Sequence, residues 1–92
     1  MRLKWDLKKR QLVLKKRKID FVELDALLDS PYVEDRRSDD PDQYRIVGLA
    51  GGRVLTFIVE YREDELGEFL QVVTAWKSTK QEINTYEQET KS

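Results

Sequence analysis

The chain has 92 residues, 39% of them apolar and 38% charged, with no Cys and no His. A chain of this length encloses one modest core, so residues 1-92 are read as a single domain. The missing Cys and His exclude disulfides, thiolate zinc sites, thiol nucleophiles and imidazole acid–base chemistry; no metal or cofactor is expected, and the implied compartment is a reducing cytoplasm.

The net charge of −1 conceals a segregation along the chain. Residues 1–20 carry nine Lys or Arg against Asp6 and Asp20, a balance of +7, whereas residues 21–44 stand at −6. The first segment is a candidate anion-binding surface. Its structural alternative is a solvated helix end, where Lys15, Lys16, Arg17 and Lys18 complement the carbonyl-rich C-terminus.

Leu3 and Trp5 alternate with charged residues, but no apolar run follows that would serve as a signal peptide or a membrane span. Asp6 is a helix cap, and the Gly- and Pro-free stretch behind it predicts a helix over 6–17. Trp5, Leu12 and Ile19 recur every seven residues and are expected to form its core stripe. Phe21, Leu24, Leu27 and Leu28 give a second helix over 20–28, ended by Ser30 and Pro31.

After Pro31 the period shortens. Strands are predicted over 32–37, 43–50, 53–62 and 69–76, with a hairpin turn at Ala50, Gly51 and Gly52, a second turn over 63–67, and an acidic loop over 35–42. Ser78 opens a closing helix to about residue 88, with Glu82 near its first turn. The expected fold is α+β, with two N-terminal helices, an antiparallel sheet of three to four strands and a C-terminal helix.

Trp5, Asp6, Lys9, Lys15, Lys16, Ile19 and Phe21 stand in the order and spacing of the opening segment of BrnT-type toxins, which this chain resembles. The match continues through Glu23, Leu28, Asp29 and Pro31, then Tyr44, Gly48, Gly52 to Leu55 and Val59 to Arg62, and finally Thr74, Ala75, Lys77, Thr79, Lys80 and Glu82. The departures are polar: Arg17 stands where the family usually has His, Lys18 where it has Gly, and Gln71 and Trp76 where it has strand arginines, with Arg45 a partial replacement for a basic residue near Gln43.

The resemblance implies a RelE-like fold and the toxin of a type II toxin–antitoxin pair, a cytoplasmic, metal-independent endoribonuclease that inhibits translation. It also implies RNA and a ribbon-helix-helix antitoxin as partners, with a hetero-oligomer built on an antitoxin dimer. Attack of the ribose 2′-hydroxyl on the adjacent phosphate needs charge stabilisation and two proton transfers. Lys9, Lys16, Arg17 and Arg62 are the expected catalytic cations, Lys15, Arg53, Lys77 and Lys80 the expected RNA contacts, and Glu60 and Tyr86 the proton-transfer candidates, beside Tyr61. Lys80 and the helix cations are expected to converge with Arg62 over one sheet face. Each has a structural alternative: Arg62 could pair with Glu63 or Asp64, Tyr86 could pack its ring, and Trp76 suits sheet packing better than base stacking. The rival function is a BrnT-like binding module that has lost catalysis and engages an antitoxin or nucleic acid.

Overall fold

A computed structural model describes residues 1–91. In chain order the elements are β1 (Arg2–Trp5), α1 (Leu7–Arg17), α2 (Glu23–Leu27), β2 (Tyr32–Asp39), β3 (Asp42–Ala50), β4 (Arg53–Asp64), β5 (Gly67–Lys77) and α3 (Lys80–Thr90). They form one sheet in the order β1-β5-β4-β3-β2. The α+β class therefore holds, with two corrections. The sheet has five strands, and it is mixed, because β1 runs parallel to β5 with Arg2 opposite Phe69 and Trp5 opposite Val72. The short alternation around Leu3 and Trp5 is a strand whose partner lies more than sixty residues away, a pairing no local pattern can reveal.

The local signals that bounded α1 work as expected. Asp6 accepts a hydrogen bond from the Lys9 backbone at 3.0 Å, and Lys18 ends the helix in the left-handed region at φ 60°. The seven-residue stripe is a different matter. Trp5 belongs to β1 and Ile19 to the turn beyond α1; Leu12 is 47% exposed, and Val13 is the buried residue of the helix. α1 lies beside the sheet edge where β1 has stopped, so its core contact is narrow.

α2 is shorter than expected because Asp20 is held in a turn: its side chain accepts from Val22 N while its own N–H donates to Glu23. The acidic stretch read as a loop is mostly strand, β2 and β3 being separated only by Asp40 and Pro41. Acidic and basic side chains are tolerated there because β2 is an edge strand, exposed over most of its length. The Gly51–Gly52 turn is present, both glycines at positive φ, as a two-residue hairpin requires. The second turn narrows to Glu65 and Leu66.

Strand alternation gives the sheet two distinct faces. Ile46, Leu55, Phe57, Val59, Leu70, Val72 and Ala75 point to one face, where Ile19, Phe21, Leu24 and Leu27 close the core. Arg45, Thr56, Glu60, Arg62, Gln71 and Trp76 point to the other. Over part of that second face lies α3, begun by a capping box between Thr79 and Glu82. Glu82 is nearly buried and accepts hydrogen bonds from Thr56 Oγ1, Trp76 Nε1 and Thr79 N at 3.0, 3.1 and 2.8 Å.

Candidate functional site

The part of the second face that α3 leaves open is a groove of about 510 Å³, bounded on one side by the first turns of α1 and on the other by β4 and β5. Asp6, Lys8, Lys9 and Leu12 line it from α1 and its cap, Glu60 and Arg62 from β4, and Gln71 from β5. It has the size of a small-ligand site. A bulge between Ile58 and Val59 in the β4–β5 pairing adds a residue to β5 at the groove wall, beside Val72 and Val73. Past the bulge Glu60 stands directly opposite Gln71. Farther along α1, and sharing Lys9 and Leu12 with the groove, lies a smaller hollow of about 170 Å³ that Lys16, Arg17 and Thr74 also line.

Of the nine cations in the first twenty residues, several are consumed by structure. Arg2 and Lys4 both pair with Asp64 at 2.6 Å, Arg10 holds Asp20 at 2.7 Å, and Arg17 donates to Ala75 O at 2.9 Å and Thr74 Oγ1 at 3.3 Å. Lys8, Lys9, Lys15 and Lys16 have no ion pair among the described residues and remain exposed. The positive surface is thus a lysine row on α1, narrower than the sequence balance of +7 suggests.

Within the groove Arg62 pairs with Glu60 through both Nε and a terminal nitrogen, not with Glu63 or Asp64. Gln43 Nε2 donates to the other Glu60 oxygen at 2.9 Å. The Gln43 hydrogen bond and then Arg62 hold the Glu60 carboxyl below the usual carboxylate range, so it is ionised at neutral pH. The site is a carboxylate and a guanidinium on β4 set opposite the unpaired Lys8 and Lys9 of α1, a field suited to a phosphodiester with a proton acceptor beside it.

The structure gathers Lys9, Glu60 and Arg62 in the groove, and Lys16 and Arg17 in a neighbouring hollow that shares Lys9 and Leu12 with it. The remaining residues lie elsewhere. Arg53 donates to Glu23 at 2.8 Å and to Lys18 O at 3.1 Å, binding the start of β4 to α2. Nine residue steps along β4 separate it from Arg62, roughly 30 Å. Lys77 and Lys80 flank the Ser78 to Val54 backbone bond at that same far end, so the expected convergence of Lys80 with the groove does not occur. Tyr86 sits in a hollow made by Glu87, Gln88, Thr90 and Lys91 of its own helix end, and Tyr61 bonds Glu34 on the core-side face. Lys15 is exposed on α1 but lines neither hollow. Trp76 packs on the sheet and donates to Glu82, with Arg37 5.4 Å over its ring.

Two residues escaped the sequence reading: Lys8, which lines the groove, and Gln43, which bonds Glu60 from outside its lining. Lys8 follows from the Asp6 cap, which places it in the first turn beside Lys9. Gln43 follows only from the β3–β4 register, in which its neighbour Tyr44 opposes Val59.

No family model and no curated protein matches the sequence. In structure the chain is similar to the 1.1 Å crystal structure of the Brucella abortus ribonuclease toxin BrnT, with a TM-score of 0.64 and 20% sequence identity. The likeness covers 87% of this chain and 99% of that one. At that identity it shows the fold: the chain has the BrnT fold, which agrees with the resemblance carried by its sequence.

Proposed function

Taking the BrnT fold as premise, we propose that the chain is a RelE-like endoribonuclease and the toxin of a toxin–antitoxin pair, acting in the cytoplasm without a metal. The observation that carries the reading is the meeting of Lys9, Glu60 and Arg62 in one groove, with Lys16 and Arg17 in the hollow next to it. Lys9 and Arg62 bind the non-bridging oxygens of the scissile phosphate and offset the charge that grows there. Glu60, already ionised, accepts the proton of the ribose 2′-hydroxyl as its oxygen bonds to phosphorus. The P–O5′ bond breaks, and a lysine ammonium of α1, from Lys9 or Lys16, donates a proton to the leaving oxygen. The products are a 2′,3′-cyclic phosphate and a 5′-hydroxyl.

Incubation of the purified protein with RNA tests this by the ends produced. Cyclic-phosphate ends are expected, with cleavage lowered in Lys9→Ala and Arg62→Ala and lowered by about 10²- to 10⁴-fold in Glu60→Gln. If all three variants match the parent, the groove is not the site.

A second reading has its own support. Glu60 is tied by Gln43 and Arg62 and is therefore a weak base, and Arg17, held on Ala75 O, cannot move protons as a histidine would. On this reading the groove binds RNA without cutting it, and the protein acts through its partner. Retained RNA binding with no cleavage by the parent distinguishes this outcome. The partner proposed on either reading is a ribbon-helix-helix antitoxin that covers the lysine row of α1, which otherwise attracts polyanions by counterion release. RNA contacts at Lys15, Arg53, Lys77 and Lys80 extend the proposal along the bound strand.

A further inference from the structure

The core-side face of the sheet is not fully covered by its helices. α2 is five residues long, and beyond it lies a groove of about 240 Å³ with Leu28 and Leu70 at its base. Tyr32, Tyr61 and Met1 border it and are 39%, 40% and 65% exposed. Scattered apolar side chains at a surface need no account, but two tyrosines and a methionine around one concavity do.

The side chains of the rim carry charge of one sign. Asp25 and Asp29 line the groove, and neither has an ion pair among the described residues. Glu34 reaches the same place and accepts the Tyr61 hydroxyl hydrogen bond. The nearby cation Arg36 is occupied by Asp39 and Asp42. The acidic segment that balances −6 over residues 21–44 therefore has a spatial focus, on the face opposite the Glu60–Arg62 groove.

We infer that this groove docks a partner protein through a segment that sets Lys or Arg beside apolar side chains. Tyrosine rings are rigid amphipathic anchors of the kind that carry binding energy in interfaces. The unpaired carboxylates complement cationic flanks and repel nucleic acid, so the surface selects its partner by charge as well as by shape. A second copy of the chain also offers such a segment, since α1 exposes Leu7, Leu12 and Leu14 among lysines. That contact would be head-to-tail and gives rings or open assemblies in place of a two-fold dimer. The inference does not rest on RNA cleavage, because the two grooves occupy opposite faces.

The test is an amide chemical-shift titration of the full chain with a Leu/Lys amphipathic peptide about 14 residues long, roughly four helical turns. A Leu/Glu peptide of the same pattern is the control. The expected shifts cluster at Asp25, Asp29, Tyr32 and Tyr61, with no binding of the Leu/Glu peptide. Combining Asp25→Asn, Asp29→Asn and Glu34→Gln, all exposed and nearly isosteric, weakens binding about tenfold and leaves RNA cleavage unchanged. Equal binding of both peptides, or shifts confined to other surfaces, overturns the inference. So does movement of these same amides with protein concentration alone, which identifies a second copy as the occupant.

Discussion

Glu82 is the polar residue on which the seating of α3 depends, and its removal has a cost that can be worked out bond by bond. In Glu82→Ala three donors lose their acceptor. Thr56 keeps a hydrogen bond with Ser78 at 2.8 Å, and Arg45 keeps Asp35 at 2.6 Å, its contact with Glu82 being a long 3.6 Å. That leaves Thr79 N and Trp76 Nε1 partly buried without partners, and two such groups cost about 2–4 kcal/mol together. For a domain of this size the melting temperature should fall by roughly 10–25 °C. Circular dichroism follows the melt, and the fluorescence of Trp76 reports the lost contact. A fall of less than about 3 °C would refute the reasoning, because the two donors would then be satisfied by water at no cost. The pH dependence is a second check. Burial alone pushes the Glu82 carboxyl up, but the bonds from Thr79, Trp76 and Thr56, with Arg45, together hold it below its ordinary value. A lowered folded pKa contributes stability that is present above the unfolded value and is lost as pH falls through the folded one. The gap between parent and Glu82→Gln in urea midpoint should therefore narrow below about pH 4 and stay constant between pH 5 and 8.

Gly48→Ala puts a methyl 2.7 Å from Leu27 Cδ2 and 3.1 Å from Tyr32 Cβ. Leu27 is fully buried and cannot retreat, so overpacking of about 1–3 kcal/mol is expected in denaturant titrations. Lys18→Gly should stabilise by about 1 kcal/mol, since Lys18 holds the left-handed conformation that glycine adopts without strain; an unchanged melting temperature would show that the lysine side chain compensates. Arg17→His, which restores the residue usual in the BrnT family, should raise RNA cleavage or growth inhibition, and equal activity in both proteins would remove residue 17 from the chemistry.

How far the sequence carried these conclusions depended on the range of each interaction. α1 and the Gly51–Gly52 hairpin rest on caps and turn residues a few positions apart, and both were legible. So was the capped start of α3, with Thr79 as cap in place of Ser78. β1 was not, because its partner is β5 at the far end of the chain. β2 was half legible, because charged side chains on an edge strand look like a solvated loop. For the candidate site, the residue types were readable and their association was not. Glu60 and Arg62 share a strand face and so could be grouped early, whereas Lys9 joins them only because β1 hooks the start of α1 beside β5. Lys80 and Tyr86 carried equally plausible chemistry and end on another part of the surface.

That parallel strand also fixes the moment at which the groove comes into being. Residues 2–5 leave the ribosome long before residues 69–72, and until β5 has emerged nothing holds the lysines of α1 opposite Arg62. Chains fold during synthesis as their elements become available, and a pairing of such wide separation forms late. A nascent chain that ends between Arg62 and the start of β5 therefore carries every catalytic side chain proposed here and no assembled site, so under the proposed function the growing chain is inert toward its own messenger.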